Sequence, residues 1–224
     1  LIGGEHGERA EYHWAGTLKD SYLATASNTL PALVPLTLTP LGKDPVVEAQ
    51  TLLSVKAASV SGPTGTGKSS TIQMLQSSAA ASRRAVVVCR AETYIPGRIG
   101  DLVADALGFS VGKAIPTYAG RKVLADPDAV VVIDGVSEIP DATLEHLAED
   151  LKPLLSRPGF ASVVLVGRDP AVLRRVLEPA PAQEAFSVTP LAHSDQERLI
   201  ESIVGATASG LSQIRARAEH VLGD

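Results

Sequence analysis

The 224-residue chain is poor in cysteine and in aromatic side chains. Its single cysteine, Cys89, rules out an internal disulfide and fits a reducing compartment, so we expect a cytoplasmic protein. Cys89 ends the apolar run 85–89, which favours a small core side chain over a reactive thiol. Aromatic residues make up 4% of the chain, so stacking platforms for single-stranded nucleic acids would be few.

Long hydrophobic runs and an excess of basic residues are lacking too. No apolar stretch approaches membrane-spanning length and no secretory signal is visible, so we expect no membrane partner. Lys and Arg number 20 against 25 Asp and Glu, a formal net charge of -5. This balance argues against a surface built mainly for nucleic acid, although a local basic groove stays open. The chain starts at Leu1 rather than Met, which indicates a fragment of a polypeptide with further domains.

One short stretch, 62–69, fits the P-loop pattern G-x-x-x-x-G-K-[ST] at every fixed position. Its glycines let the backbone curl so that N–H groups point at a polyphosphate, and a following helix adds its own N–H groups and dipole. Lys68 then reaches the β- and γ-phosphates, and the Ser69 hydroxyl completes the shell of a Mg²⁺ ion. We therefore predict a nucleotide site formed by Gly62, Pro63, Thr64, Gly65, Thr66, Gly67, Lys68, Ser69 and Ser70.

The neighbours of the loop have the pattern that a P-loop requires. The apolar segment 52–60 predicts a buried strand before it, and Ile72, Leu75 and Ala79 recur at helical spacing behind it. Further apolar runs predict strands at 85–90, 129–134 and 162–166. Strands that alternate with helices predict an α/β, three-layer P-loop NTPase fold with a central, mainly parallel sheet flanked by helices.

Several residues predict where the intervening helices begin and end. An apolar stripe over 99–107 is expected to stop at Gly108, and Pro153 is expected to kink or shorten the last turn of its helix. Three helix starts are predicted by capping residues, at Asp141, at Asp169-Pro170 and at the capping box Ser194-Asp195-Gln196-Glu197.

The two ends of the chain differ from its middle. We interpret residues 1–50 as an N-terminal extension or linker packed on the surface, because 1–16 lacks periodicity and prolines interrupt 31–45. Residues 51–190 are predicted to form the nucleotide-binding domain. Only helical patterns follow, so residues 191–224 predict the incomplete start of a helical lid subdomain.

Three charged residues follow predicted strands and complete the candidate site. Asp134 ends the run 129–133, where a P-loop protein holds Mg²⁺ directly or through water. Glu138 is the nearest carboxylate that can orient or deprotonate an attacking water, although it can equally cap or solubilise its loop. Arg168 follows the strand 162–166 and is predicted to sense the γ-phosphate, the alternative being a pair with Asp169.

Three segments resemble the STAND class of signalling ATPases, the group within the AAA+/ASCE division that contains NACHT and NB-ARC domains. Segment 133–139 is similar to the NACHT pattern Leu-Asp-Gly-Leu-Asp-Glu-Leu, except that Ser137 replaces an acidic residue. Segment 164–170 resembles the family's strand that ends in a sensor arginine, here Arg168. Segment 186–200 resembles its link into the helical subdomain.

The resemblance implies a nucleotide-dependent switch. ATP would close the domain and license assembly of a homo-oligomer, and hydrolysis or ADP would return it to rest. The missing acid at Ser137 implies slow Mg²⁺-dependent hydrolysis. ATP rather than GTP rests on this resemblance alone.

Two other functions stay open at this level. Segment 116–126 is similar to part of some viral superfamily 2 RNA helicases, in which Asp134 would open an Asp-Glu-x-His motif. Gly135 and Ser137 replace the glutamate and histidine of that motif, so such a helicase would be degenerate, with nucleic acid as its partner. The third possibility is a nucleotide-binding scaffold without turnover.

Overall fold

The computed structural model describes residues 13–27, 37–42, 46–189 and 193–197. A seven-stranded sheet is built in the order β2-β1-β7-β3-β6-β5-β4. Its strands are β1 (Thr37–Pro40), β2 (Val47–Glu48), β3 (Ala57–Ser61), β4 (Ala85–Arg90), β5 (Ala129–Asp134), β6 (Ser162–Gly167) and β7 (Glu184–Val188). Strands β3 to β7 pair in parallel, whereas β1 runs antiparallel to both β7 and β2. The predicted α/β fold with a mainly parallel sheet is confirmed.

Helices cover both faces of the sheet. They are α1 (Lys19–Ser27), α2 (Lys68–Ala81), α3 (Ile99–Val111), α4 (Thr117–Leu124), α5 (Asp141–Ser156) and α6 (Pro170–Leu177). Alternate residues of each strand point to opposite faces, so Val130 and Val132 pack with α2 while Val131 and Ile133 pack with the other helices. The two resulting apolar cores make the strands hydrophobic along their whole length, as in other buried parallel sheets.

The strand order places three carboxyl ends side by side. Strand β6 lies between β3, which precedes the P-loop, and β5, which ends in Asp134. Loops that follow parallel strands emerge at the same edge of a sheet, where such folds bind their ligands. The P-loop, Asp134 and Arg168 are therefore brought to one edge although 100 residues separate the first from the last.

The structure corrects the start of the strand before the P-loop. The expected strand at 52–60 begins only at Ala57, because Ala49–Leu53 forms a 3₁₀ turn. Leu52 is nevertheless buried, in the same apolar core as Val60. An apolar run indicates that a segment is buried, but a strand and the turn that precedes it can both be buried, so the run alone does not show where the strand begins.

One predicted helix end also differs. Helix α3 continues past Gly108 to Val111 and ends at Gly112, whose φ of 71° suits glycine. Gly108 has a packing role instead, since a Cβ there would lie 2.8 Å from the Lys113 carbonyl oxygen. Helix α5 contains Pro153 in its last turn and ends three residues later, at Ser156, and the predicted kink stays a prediction.

Of the three predicted helix starts, one is confirmed as a cap. The Asp169 carboxylate accepts the Ala171 N–H at 2.8 Å in front of α6. Asp141 is already the first residue of α5, and its carboxylate accepts from Arg175 at 2.6 Å rather than capping its own helix. Residues 193–197 are helical, so Ser194 lies inside that helix rather than before it, and the remainder of the predicted lid lies outside the described residues.

The described part of residues 1–50 does more than pack on the surface. The turn Trp14–Leu18 and helix α1 bury Trp14, Leu18 and Tyr22 in the main apolar core. Tyr22 donates its hydroxyl to the Val86 carbonyl at 2.5 Å, and β1 and β2 extend the sheet. The domain boundaries at 50 and 190 stay predictions. No helix in the described ranges is long and apolar enough to cross a membrane.

Candidate functional site

The P-loop takes a conformation that its glycines permit. Gly65 and Gly67 have φ values of 84° and 92°, in the left-handed region that residues with a Cβ rarely adopt. A Cβ at Gly62 would lie 2.8 Å from the Thr66 hydroxyl oxygen, so the close turn of the loop also depends on this glycine. Helix α2 begins directly afterwards, at Lys68, and its first N–H groups therefore face the concave side of the loop.

Lys68 is folded back onto the loop. Its Nζ donates to the carbonyl oxygens of Gly62 and Pro63, both at 2.6 Å. Partial burial lowers the pKa of Lys68, and the nearby Asp134 carboxylate partly opposes that effect. A phosphate bound in the loop would compete with these two carbonyls for the ammonium group.

Asp134 faces Lys68 from the end of β5. Its Oδ1 accepts the Gly135 N–H at 2.9 Å, and the side chain is half-buried. Burial raises the pKa of Asp134, against the opposing effects of the Gly135 N–H and of Lys68. A divalent cation beside this carboxylate would offset the cost of burying its negative charge.

The residues present fit a magnesium ion. Ser69 and Asp134 offer a hydroxyl and a carboxylate oxygen to one cavity of about 380 Å³, and oxygen is the ligand that Mg²⁺ prefers. No cluster of three or more His, Cys, Asp or Glu exists in the described part of the chain. Such a sparse protein shell is the usual one for Mg²⁺ at nucleotide sites, where phosphates and waters complete the octahedron.

Glu138 and Arg168 form an ion pair at the rim of this cavity. An Arg168 Nη2 atom lies 3.0 Å from Glu138 Oε1, and the two side chains are 57% and 52% exposed. The predicted sensor and the predicted water-orienting carboxylate therefore contact each other. Arg168 pairs with Glu138 and not with Asp169, whose carboxylate caps α6.

The structure brings most of the predicted residues together. The lining of the cavity consists of Thr64, Gly65, Gly67, Lys68, Ser69, Ser70, Asp134, Glu138 and Arg168. Gly62, Pro63 and Thr66 do not line it but shape the loop, through the carbonyls that hold Lys68 and a hydrogen bond from Thr66 Oγ1 to the Pro63 oxygen. The binding roles of all these residues stay predictions.

Sequence reasoning missed three residues of the site. Ser137 Oγ accepts the backbone N–H groups of Arg168 and Asp169, both at 3.1 Å, and buried Gly167 lies against that oxygen. Arg90 lies beside Asp134 in the sheet register, and its charge acts to lower the pKa of that carboxyl. No local sequence signal marks them, because their neighbours are 30 to 44 residues away along the chain and only the strand order brings them close.

A second cavity of about 500 Å³ adjoins the first between α2 and α3. The two share Ser69 and Asp134, and Phe109 stands at the rim of the second with 86% of its surface exposed.

Comparisons with known proteins leave the family open. No family model matches the chain. A maize protein described as a probable glutamate carboxypeptidase VP8 is 32% identical over 119 residues, which is 52% of this chain and only 16% of that protein. A solved structure described as a DNA replication initiation factor has a TM-score of 0.47 and 14% identity, over 74% of this chain and 51% of that one. This chain thus spans about a sixth and about half of the lengths of these two proteins.

Proposed function

We propose that this chain is a P-loop NTPase domain that binds ATP with Mg²⁺ at the cavity beside Gly62–Ser69. One observation carries the proposal, namely that a glycine loop, a lysine, a serine and a strand-ending aspartate line the same cavity at the carboxyl edge of a parallel sheet. These are the groups that hold a triphosphate in P-loop proteins, and they follow two different strands of this fold, β3 and β5.

The loop and Lys68 would carry most of the binding. Backbone N–H groups of the loop and of the first turn of α2 donate to the β- and γ-phosphates, while Lys68 leaves the Gly62 and Pro63 carbonyls for phosphate oxygens. Ser69 and Asp134 would hold the Mg²⁺. The ion would neutralise the charge that develops on the phosphates.

Slow hydrolysis fits the same geometry. Glu138 is the carboxylate at the cavity that can orient a water, yet it is held by Arg168 at 3.0 Å and is half-exposed. A carboxylate that is paired with a cation has to leave that pair before it can accept a hydrogen bond from an attacking water. We therefore expect turnover to be slow.

The biological output would be a conformational or oligomerisation switch of the STAND type. Arg168 follows the strand between the P-loop strand and the Asp134 strand and lines the same cavity, which supports a contact with ATP that ADP would lack, as a nucleotide switch requires. The ATP-bound form would assemble into a homo-oligomer together with further domains of the polypeptide. The buried free thiol of Cys89 supports a reducing, cytoplasmic setting.

The direct test is a titration of wild type and Lys68→Ala with fluorescent ATP and ADP, with and without Mg²⁺. Wild type should bind, and Lys68→Ala should show no measurable binding because the phosphate cation is gone. Lys152→Ala, an exposed lysine on α5, is the matched control and should bind as wild type does. Equal affinity of Lys68→Ala and wild type for ATP would refute the proposal.

The type of function is tested by assembly and turnover. A mass increase with a non-hydrolysable ATP analogue, in the absence of nucleic acid, would support the switch. ATP turnover that rises with added RNA or DNA would favour the helicase instead, and tight binding without assembly or turnover would favour the scaffold.

A further inference from the structure

Ser137 connects the two loops that carry Glu138 and Arg168. It lies in the 3₁₀ turn Val136–Glu138, one residue before Glu138. Its Oγ accepts the backbone N–H of Arg168 and that of Asp169, each at 3.1 Å. One side-chain oxygen therefore fixes the end of β6 to the turn after β5.

Gly167 shows that this contact is closely fitted. A Cβ at Gly167 would lie 2.3 Å from Ser137 Oγ and 3.2 Å from the Ser137 backbone nitrogen. The hydroxyl could make room only by rotating away from the two N–H groups that it accepts, and the backbone nitrogen only by moving the turn. The residue before Arg168 must be glycine for the serine to reach the two N–H groups. We call this arrangement, in which Ser137 Oγ accepts the two N–H groups and packs against Gly167, the Ser137 clamp.

The ion pair alone cannot hold its partners in place. Arg168 and Glu138 are both more than half exposed, and exposed pairs of long side chains add little rigidity because solvent screens them. The clamp acts on the backbone directly beside each of them. Its two hydrogen bonds fix the backbone positions from which the side chains of Glu138 and Arg168 extend.

We propose that Ser137 is a positioning residue that holds Arg168 at the distance from the nucleotide cavity where it distinguishes ATP from ADP. The inference rests on the proposed nucleotide binding. It also accounts for a serine where the resembling NACHT pattern has an acid. A hydroxyl accepts both N–H groups without adding negative charge beside Asp134 and Glu138, where a triphosphate must bind.

The test compares the ratio of ATP to ADP affinity in wild type, Ser137→Ala, Arg168→Ala and the double variant. We expect Ser137→Ala to reduce the ATP preference about threefold to tenfold, less than the loss in Arg168→Ala, with ADP affinity unchanged. In the Arg168→Ala background the serine should have nothing left to position, so Ser137→Ala should change the ratio no further.

Two further variants separate positioning from general damage. Gly167→Ala, which pushes a methyl group against the clamp from the other side, should reduce the ATP preference as Ser137→Ala does. Ser54→Ala removes a hydroxyl that also bonds to backbone, at the opposite edge of the sheet, and should leave the ratio unchanged.

An unchanged ratio in Ser137→Ala, an equal loss of ATP and ADP affinity, or additive losses in the double variant would each overturn the inference while leaving the proposed function intact. Wild type without measurable ATP binding would refute the proposed function, and this inference with it.

Discussion

The ion pair between Arg168 and Glu138 makes a specific prediction about ATP affinity. If Arg168 senses the γ-phosphate, it must give up Glu138 when ATP binds, because its guanidinium at 3.0 Å is engaged there. Glu138→Gln removes the charge that competes for Arg168 and keeps the shape of the side chain. This variant should therefore bind ATP more tightly than wild type while its affinity for ADP stays the same.

The size of the gain follows from the exposure of the pair. Side chains that are 57% and 52% exposed place the pair among surface ion pairs, which contribute about 0.2–1 kcal/mol. Since about 1.4 kcal/mol corresponds to a tenfold change in affinity, ATP affinity should rise by up to about fivefold. Salt screens such pairs, so the gain should shrink as ionic strength rises above physiological levels.

The assay is a parallel titration of wild type, Glu138→Gln, Arg168→Ala and the double variant with ATP and with ADP at two salt concentrations. The gain from Glu138→Gln should vanish in the Arg168→Ala background, because no cation is left to release. Turnover should fall by about a hundredfold or more in Glu138→Gln if this carboxylate orients the water. Lower ATP affinity in Glu138→Gln, or an equal gain for ADP, would refute the exchange of partners by Arg168.

Two more substitutions test the metal site and the packing of the helices. Burial raises the pKa of Asp134 above its ordinary 3.8, because the folded protein disfavours the charged carboxylate. The stability that the neutral carboxyl contributes to the folded state is therefore fully present below pH 3.8 and is lost as the pH rises through the folded pKa. At pH 7 and without nucleotide, Asp134→Asn should therefore melt at a higher temperature than wild type, and a lower Tm would contradict this. ATP binding by the variant should no longer depend on Mg²⁺, and a preserved dependence would contradict the metal site. Gly120→Ala should destabilise the fold by about 1–3 kcal/mol in denaturant unfolding, because its Cβ would lie 2.1 Å from the Gly100 carbonyl oxygen. An unchanged free energy of unfolding would contradict this packing.

Local signals in the sequence predicted the elements of the fold well. The continuous apolar runs gave β4 and β5 their observed bounds, because a strand buried on both faces has no polar positions to confuse the pattern. The sequence also predicts the P-loop, because the backbone angles of the loop require glycine at Gly65 and Gly67. Gly108 misled, because a glycine needed for a close approach looks the same in sequence as a glycine that ends a helix.

Local sequence patterns do not predict contacts between residues that are far apart along the chain. Trp14 donates its indole N–H to Asp126 at 2.8 Å across 112 residues, and Tyr22 reaches Val86 across 64. Neither contact has a periodicity or spacing, so the sequence alone predicts a surface extension for residues 1–50, whereas their described part enters the core. The Ser137 clamp belongs to the same class, since its partners are 31 and 32 residues away.

The glycine directly after Asp134 has a geometric explanation. Gly135 takes a φ of 80° and starts a tight turn in which the Glu138 N–H donates to the Gly135 carbonyl at 2.9 Å. A residue with a Cβ would be strained there, so this chain cannot keep a glutamate directly after the aspartate without changing the turn. The turn instead brings Glu138 to the cavity that Asp134 lines, three residues after the glycine. The cavity therefore has a carboxylate at Glu138, which forms an ion pair with Arg168 at 3.0 Å.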